Sequence, residues 1–311
     1  MFVLRPNPAT LLPTVALFGV GLIGSAISQH LVRSAGYRYS RFPFDWNQPK
    51  SQSNQMEQAM LEIGSRKQVV FVWAAGSGGF TLTSSAAAAE QTAFGVVLRA
   101  AERCAQGQSA KVPFHLLSSA GGLYEGQRLI GPNTPIRPLR EYGRLKQAQE
   151  TDLLDCSNLA ARIYRPTSVY GLISSTGARG LIPTLVSNGL SQTVTTLFGG
   201  RQTLRDYVPV GDVGRFISQC IQDPTAAAIS PMILASGRPV TLDEVISIVE
   251  QQLRRRLLVA VGPQTNAHNI TFRGGTSPEG FSTADMTTGI RLVYNQWLQQ
   301  GVWRQRFPHA G

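Results

Sequence analysis

The sequence predicts an α/β protein built on a doubly wound, mostly parallel sheet with a smaller C-terminal lobe, and three observations carry that expectation. Short β-branched or aromatic runs alternate with longer helical stretches over the first two-thirds of the chain, the pattern of repeated β-α-β units. One of these runs, residues 68–75 (QVVFVWAA), is almost continuously apolar, as a parallel strand covered on both faces has to be. Three glycines, Gly19, Gly21 and Gly24, follow the first such run and open the first helical stretch.

Taken in order, residues 15–18 read as the first strand and 25–34 as the helix after it. The second strand falls within 37–45, where Pro43 sits badly because it has no N–H to give to a ladder. After the 68–75 strand, the Ala-rich stretch 84–103 reads as a helix, 112–118 as a strand, 140–154 as a helix and 161–164 as a strand entering Arg165-Pro166. Beyond Gly171, glycine, serine and threonine become frequent and the clean alternation is lost. There, 212–222 reads as a helix opened by an Asp cap, and 232–235 as a short strand. Residues 241–253 read as a helix on which Thr241 and Glu244 form a capping box. No repeat and no low-complexity linker divides the chain. Two interleaved lobes are expected: a sheet domain over 1–171, rejoined by about 206–236, and a second lobe from 172–205 and 237–311.

With 311 residues, 42% hydrophobic and 15% charged, the chain can bury a substantial core. Its 29 Lys and Arg outnumber 18 Asp and Glu, a net charge of +11. The positive charges are scattered, and the densest run, Arg254-Arg255-Arg256, reads as a solvated helix face. With no RNP-like motif, zinc-finger spacing or basic arm, nucleic acid is not an expected partner; steering of small anionic molecules accounts for the sign. Cys104, Cys156 and Cys220 are too few and too far apart for a disulfide framework, which fits a reducing, cytoplasmic setting. His30, His115, His268 and His309 show no metal-ligand spacing, so no metal is expected. The apolar stretch 14–27 is shorter than the ~20 residues a bilayer requires, and membrane insertion is not expected.

Gly19-Val20-Gly21-Leu22-Ile23-Gly24 is a G-x-G-x-x-G placed between strand and helix, the dinucleotide fingerprint of a Rossmann sheet. The first glycine permits a tight turn, the second lets a pyrophosphate approach the backbone, and the third lets helix and strand pack closely. Leu22 and Ile23 lie at the helix N-terminus, where free N–H groups and the helix dipole favour phosphate. An acidic residue some twenty positions on would hold the ribose hydroxyl of NAD, and Asp45 stands near that place. Arg38 and Arg41 would instead suit the 2′-phosphate of NADP, so NAD and NADP both stay open.

Tyr142-Gly143-Arg144-Leu145-Lys146 is a Y-x-x-x-K, and four residues on a helix bring the two side chains onto one face. A phenol of unperturbed pKa ~10 is a poor base at neutral pH. A neighbouring ammonium stabilises the phenolate and makes it a usable acid/base.

With these motifs the chain resembles the extended short-chain dehydrogenase/reductases, the NAD-dependent epimerase/dehydratase family. The matching segments come in family order: the glycine loop, Ala74-Ala75, Ser118-Ser119-Ala120-Gly121-Gly122-Leu123-Tyr124, and Asn133-Thr134-Pro135 leading to the Tyr-Lys pair. Arg165-Pro166-Thr167-Ser168-Val169-Tyr170-Gly171 and Arg205-Asp206-Tyr207-Val208-Pro209-Val210-Gly211-Asp212-Val213 complete the set. The resemblance implies bound NAD or NADP contacted by the glycine loop, Asp45, Ala74, Ala75, Tyr142 and Lys146. It also implies a C-terminal lobe closing over a nucleotide-linked sugar, Tyr142 as acid/base and Lys146 as its electrostatic partner. Arg205 would reach the substrate diphosphate, the alternative being an ion pair with Asp206 or Asp212. Ser168 stands where many nucleotide-sugar enzymes carry an Asn at that diphosphate. The family pairs as dimers through two helices each, here 84–103 and 140–154.

The chain departs from the family where a Ser or Thr normally hydrogen-bonds the reacting oxygen, because that place is Ala120. Ser119 or Ser118 is expected to substitute. The Asp-Glu pair that dehydratases carry next is Gly121-Gly122, which points away from dehydration. The expected function is thus an NAD(P)-dependent epimerase or oxidoreductase acting on a hydroxyl or keto carbon, with Tyr142 as acid/base. Two alternatives are an NAD(P)H-dependent reductase of a non-nucleotide carbonyl and a non-catalytic dinucleotide-binding sensor.

Overall fold

The computed structural model describes residues 1–46, 48–63, 68–76, 79, 81–172, 180–223, 231–263 and 268–299. The chain runs β1 (Phe2–Arg5), β2 (Thr14–Phe18), α1 (Leu22–Ala35), β3 (Arg38–Arg41), α2 (Pro49–Ile63) and β4 (Val69–Trp73). Then come α3 (Ser84–Ala105), β5 (Val112–Leu117), α4 (Ala120–Leu123), α5 (Glu141–Asp155), β6 (Leu159–Pro166), β7 (Ser168–Tyr170) and α6 (Leu181–Ser191). Short strands β8 (Thr195–Leu197), β9 (Leu204–Arg205) and β10 (Tyr207–Pro209) precede α7 (Val210–Gln222) and β11 (Met232–Leu234). The chain continues through β12 (Val240–Thr241), α8 (Leu242–Leu253), β13 (Val259–Val261) and α9 (Met286–Gln299).

A seven-stranded sheet in the order β11-β6-β5-β4-β2-β1-β3 forms the framework. Neighbours β2, β4, β5 and β6 are parallel, with Phe18 opposite Trp73, Phe71 opposite Phe114 and Leu116 opposite Ile163. Alternation decides why these strands are apolar throughout. Ala16, Phe18, Phe71, Trp73, Phe114 and Leu116 belong to one core cluster with Met56 of α2, Phe94 of α3 and Leu153 of α5. Val15, Leu17, Val70 and Val72 point to the other face and are equally buried. Elsewhere in this unit α1 and α7 meet closely: a Cβ on Gly214 would press on Ala26, and the Ser218 hydroxyl donates to the Ile27 carbonyl at 3.2 Å.

The N-terminal strand was not expected. Instead of starting at residue 15, the sheet includes β1, which runs antiparallel between β2 and β3 with Phe2 opposite both Leu17 and Arg41. The second expected strand, 37–45, is realised only as Arg38–Arg41, ahead of Pro43. Its Arg-Tyr-Ser-Arg sequence is mostly exposed, as suits the sheet edge, where charged side chains discourage further pairing. Two helix starts bear on the sequence reading. The capping box at α8 is present, the Thr241 hydroxyl accepting from Glu244 N–H at 3.1 Å and the Glu244 carboxylate from Thr241 N–H at 2.6 Å. Asp212 is no cap: α7 begins at Val210, and the Asp212 carboxylate accepts from the Ala284 N–H at 2.9 Å.

Contacts gather the chain into two compact units. Met1–Leu123, Ile136–Pro166 and Gly214–Ile233 form the first; Tyr124–Pro135, Thr167–Val213 and Leu234–Gly311 form the second. These seams differ from those expected at 171 and about 206, because β7 and β10 are each other's parallel partners, Ser168 opposite Tyr207. The 124–135 stretch joins the second unit through the Ile130–Phe272 bridge. The second unit's own core lies among α6, α8 and α9, with Leu185, Val245, Val249, Ile290 and Trp297 at its centre. No helix among the described residues is long and apolar enough to cross a membrane.

Candidate active site

The glycine loop leaves β2 at Phe18. Gly19 has φ +86°, a left-handed conformation that favours glycine, and any Cβ on it would overlap the backbone of Ala74 and Ala75 after β4. Ala74 N–H donates to Phe18 O at 2.7 Å, so the two loop starts are tied together. Gly24 sits against the Gly19 carbonyl with no room for a side chain, which draws α1 onto the loop. Gly21 is different: a Cβ there would meet nothing within 4 Å. It is the N-cap of α1, no side chain caps that end, and the first turn, with Leu22 and Ile23, carries no acidic residue. Packing therefore explains two of the glycines, while the third keeps a bare, uncompensated helix N-terminus accessible, a cradle suited to a phosphate pair.

Asp45 lies in the loop after β3. Its N–H donates to the Gln55 side chain at 2.7 Å and its carbonyl accepts from Gln52 Nε2 at 2.8 Å. With β1 intervening, that loop springs from a strand two places from β2, about 10 Å in strand spacing. Arg38 and Arg41 are both on β3, where Arg41 lies 5.4 Å over the Phe2 ring and Arg38 pairs in register with Arg5.

Tyr142 and Lys146 are carried by α5, which is backed onto the small helix α4. A Cβ on Gly143 would overlap the Gly122 carbonyl, and one on Gly122 would run into the Tyr142 ring. Lys146 is 2% exposed. Its Nζ stands 5.9 Å from the Tyr142 ring centre and donates to Glu90 Oε1 at 3.0 Å and Gln149 Oε1 at 2.9 Å. Gln149 Nε2 in turn donates to Glu90 Oε1 at 3.1 Å. Glu90, from α3, and Gln149 were not among the expected site residues. The one local signal was an acid standing alone in the Ala-rich first half of α3; that it meets Lys146 is a tertiary fact.

The two serines part company. β5 ends at Leu117, so strand alternation does not govern them. Ser119 Oγ accepts from the Gly122 N–H at 3.1 Å and so ties off the first turn of α4. Ser118 is buried, and its Oγ has no hydrogen-bond partner among the described residues. Ala120 is fully buried.

Arg205 and Ser168 belong to the second unit. Ser168 starts β7, its N–H donating to Asp206 O at 3.1 Å. The Asp206 carboxylate is taken by the Thr167 hydroxyl at 2.9 Å and by the Ser236 N–H and hydroxyl at 2.8 and 2.9 Å. Arg205 helps line a pocket of about 310 Å³ within this unit, together with Leu181, Thr195, Leu197, Phe198 and Tyr207. Burial pushes the Tyr207 phenol up to about 12, with the positive charge of Arg205 opposing it. Apolar walls, hydroxyls and a guanidinium together suit a flat heterocycle attached to an anion. Apart from Arg205, these pocket residues were not expected; they lie in the stretch where periodicity had faded.

Fold, glycine loop and Tyr-Lys helix together describe a dinucleotide-binding protein of the extended short-chain dehydrogenase/reductase type. The NAD dependent epimerase/dehydratase family model matches residues 17–233, and the chain belongs to that family. Among solved structures, the UDP-glucose 4-epimerase of Thermus thermophilus, in complex with NAD, superposes with a TM-score of 0.71 at 19% identity, over 91% of this chain and 98% of that one. The UDP-glucose 4-epimerase of Thermotoga maritima, with UDP-glucose, gives 0.73 at 16% identity over 92% and 98%. RMD from Pseudomonas aeruginosa, complexed with NADPH, gives 0.69 at 15% over 92% and 99%. At such identities the likeness is one of fold. Among curated proteins no sequence match is found.

Proposed function

We propose that this chain is an NAD(P)-dependent epimerase or oxidoreductase acting on a hydroxyl or keto carbon of a nucleotide-activated sugar. The observation that carries the reading is the placement of Tyr142 and Lys146 on one helix of the same compact unit as the glycine loop. The open N-terminus of α1 would hold the pyrophosphate, and Lys146 the nicotinamide ribose. When bound, the nicotinamide supplies the hydride acceptor and donor. Tyr142 takes the proton from the sugar hydroxyl as the carbonyl forms and returns it on reduction, while the buried ammonium of Lys146 favours the phenolate. Ser118 or Ser119 would hydrogen-bond the reacting oxygen in place of Ala120; the buried, unpartnered hydroxyl of Ser118 makes it the better supported of the two. Arg205 would grip the diphosphate, and the pocket beside it would take the base. Two copies would pair through α3 and α5, which light scattering of the purified protein checks.

The test is to incubate the purified protein with UDP-hexoses and no added cofactor. An equilibrium of epimers, lost on Tyr142→Phe and accompanied by NAD released on denaturation, supports the epimerase form. A requirement for stoichiometric NADPH refutes that form and leaves net reduction. The buried Ala120, which offers no hydroxyl, favours one other reading, a dinucleotide sensor without turnover. Cellular function that survives Tyr142→Phe while cofactor binding persists would refute the catalytic reading and favour this one.

A further inference from the structure

Glu90 is a buried carboxylate that the reaction outlined above does not use. Its Oε1 is shared by the Lys146 ammonium at 3.0 Å and the Gln149 amide at 3.1 Å, and both charged side chains are almost fully buried, at 3% and 8% exposure. A buried ion pair is a poor device for stability, since desolvation offsets most of the Coulombic gain. This one nevertheless stands beside Tyr142, with Lys146 common to both. Among the described residues, two hydrogen-bonding valences remain in it. Lys146 has three N–H donors and uses two, on Glu90 and Gln149. Glu90 Oε2 is engaged by no described residue.

The opening onto these valences is Gly76, in the loop after β4. A Cβ built there would lie 3.4 and 3.5 Å from the two Glu90 oxygens and 3.6 Å from Lys146 Nζ. Residue 76 is exposed and carries no side chain, so the described part of that loop leaves both groups uncovered on this side. A ligand arriving over Gly76 meets an acceptor and a donor side by side, both charged. That pairing matches a vicinal diol, in which one hydroxyl donates to the carboxylate and its neighbour accepts from the ammonium.

We propose that Glu90 and Lys146 form a two-point clamp for a ribose diol, with Glu90 as a cofactor-binding residue and Gln149 as the residue that positions both. The clamp rests on the dinucleotide reading, and takes the ribose at the nicotinamide end, since it is built around the partner of Tyr142. The glycine loop holds the phosphates; the clamp fixes the far sugar.

ADP and ADP-ribose separate the two contributions, because only ADP-ribose carries the second diol. Calorimetric titration of the purified protein should show ADP-ribose binding more tightly than ADP. Glu90→Gln should cut that preference about tenfold, the loss expected for one hydrogen bond to a charged group, and leave ADP affinity unchanged. Glu90→Asp keeps the charge beside Lys146, and with it the fold, but withdraws the carboxylate by one methylene, and should lose the preference too. Unchanged ADP affinity shows in either variant that the fold and the phosphate site are intact. Retention of the wild-type preference by both variants overturns the clamp, as does equal affinity of the wild type for ADP and ADP-ribose; neither result touches the phosphate site. Failure of the wild type to bind either ligand, in a preparation that releases no NAD(P) on denaturation, overturns the dinucleotide reading itself and the clamp with it.

Discussion

Replacing Gly122 by alanine tests whether Tyr142 is held in place by the backbone beneath it. A Cβ at residue 122 would stand 2.9 Å from Tyr142 Cδ1, 3.1 Å from Cε1 and 3.2 Å from the Gly143 Cα. Carbon atoms rest at ~3.5–4.0 Å, so the ring has to retreat by roughly 0.6–1 Å. It cannot do so alone, because the added methyl would also stand 3.2 Å from the Gly143 Cα; α4 and α5 must separate. Overpacking of this kind costs about 1–3 kcal/mol. A shift of about 1 Å in a reacting group lowers turnover by about 10²-fold. The matched control is Gly121→Ala, whose Cβ would meet only the Ser119 hydroxyl at an ordinary 3.7 Å. Both variants should bind ADP as the wild type does, since the glycine loop is untouched. Urea unfolding, ADP titration and turnover of a substrate on which the wild type is active are the assays. Equal turnover in the two variants would refute the claim that α4 sets the position of Tyr142.

Three further expectations are independent of that one. Burial, reinforced by the positive charge of Arg162, pushes the His115 imidazole down to about 3. The unfolded chain protonates it near 6.5, so stability present at neutral pH is lost on acidification, by about 2 kcal/mol at pH 5. His115→Gln should remove that part of the loss between pH 7 and pH 5 in urea titrations, and an identical loss in both proteins would contradict it. Gly21→Ala should leave the thermal midpoint unchanged, because nothing lies within 4 Å of the added methyl, yet weaken NAD(P) binding at least ~tenfold; undiminished affinity would put the phosphates elsewhere. Asp206→Ala should destabilise by about 2–4 kcal/mol, because the Thr167 hydroxyl and the Ser236 N–H and hydroxyl lose their acceptor, and a loss under 1 kcal/mol in urea would show that water replaces it.

The strands that were legible in the sequence are those whose burial on both faces leaves an apolar run, as in Val-Val-Phe-Val-Trp of β4. Helices with a cap or strong Ala content, α3 and α8, were legible for equally local reasons. β1 was not, because Phe-Val-Leu-Arg is too short to announce itself and its place is set by pairing with strands on either side. The glycine fingerprint and the Tyr-Lys spacing could be read because each is completed within six residues. The Glu90–Lys146 contact joins positions 56 apart, and neither residue signals the other. Ser118 and Ser119 could be ordered only once β5 was seen to stop at Leu117, which leaves one hydroxyl capping α4 and the other buried with no partner among the described residues.

The inserted strand also decides how the protein should be handled at the bench. Since β1 runs against β2, with Phe2 opposite Leu17, whatever is fused ahead of Met1 emerges at the rim of the sheet where Phe18 gives way to the glycine loop. An affinity tag at this end would lie beside the glycine loop, and a basic one such as oligohistidine would compete for the phosphates proposed to bind there. Ligand titrations on this chain therefore call for a cleavable leader and a comparison before and after its removal.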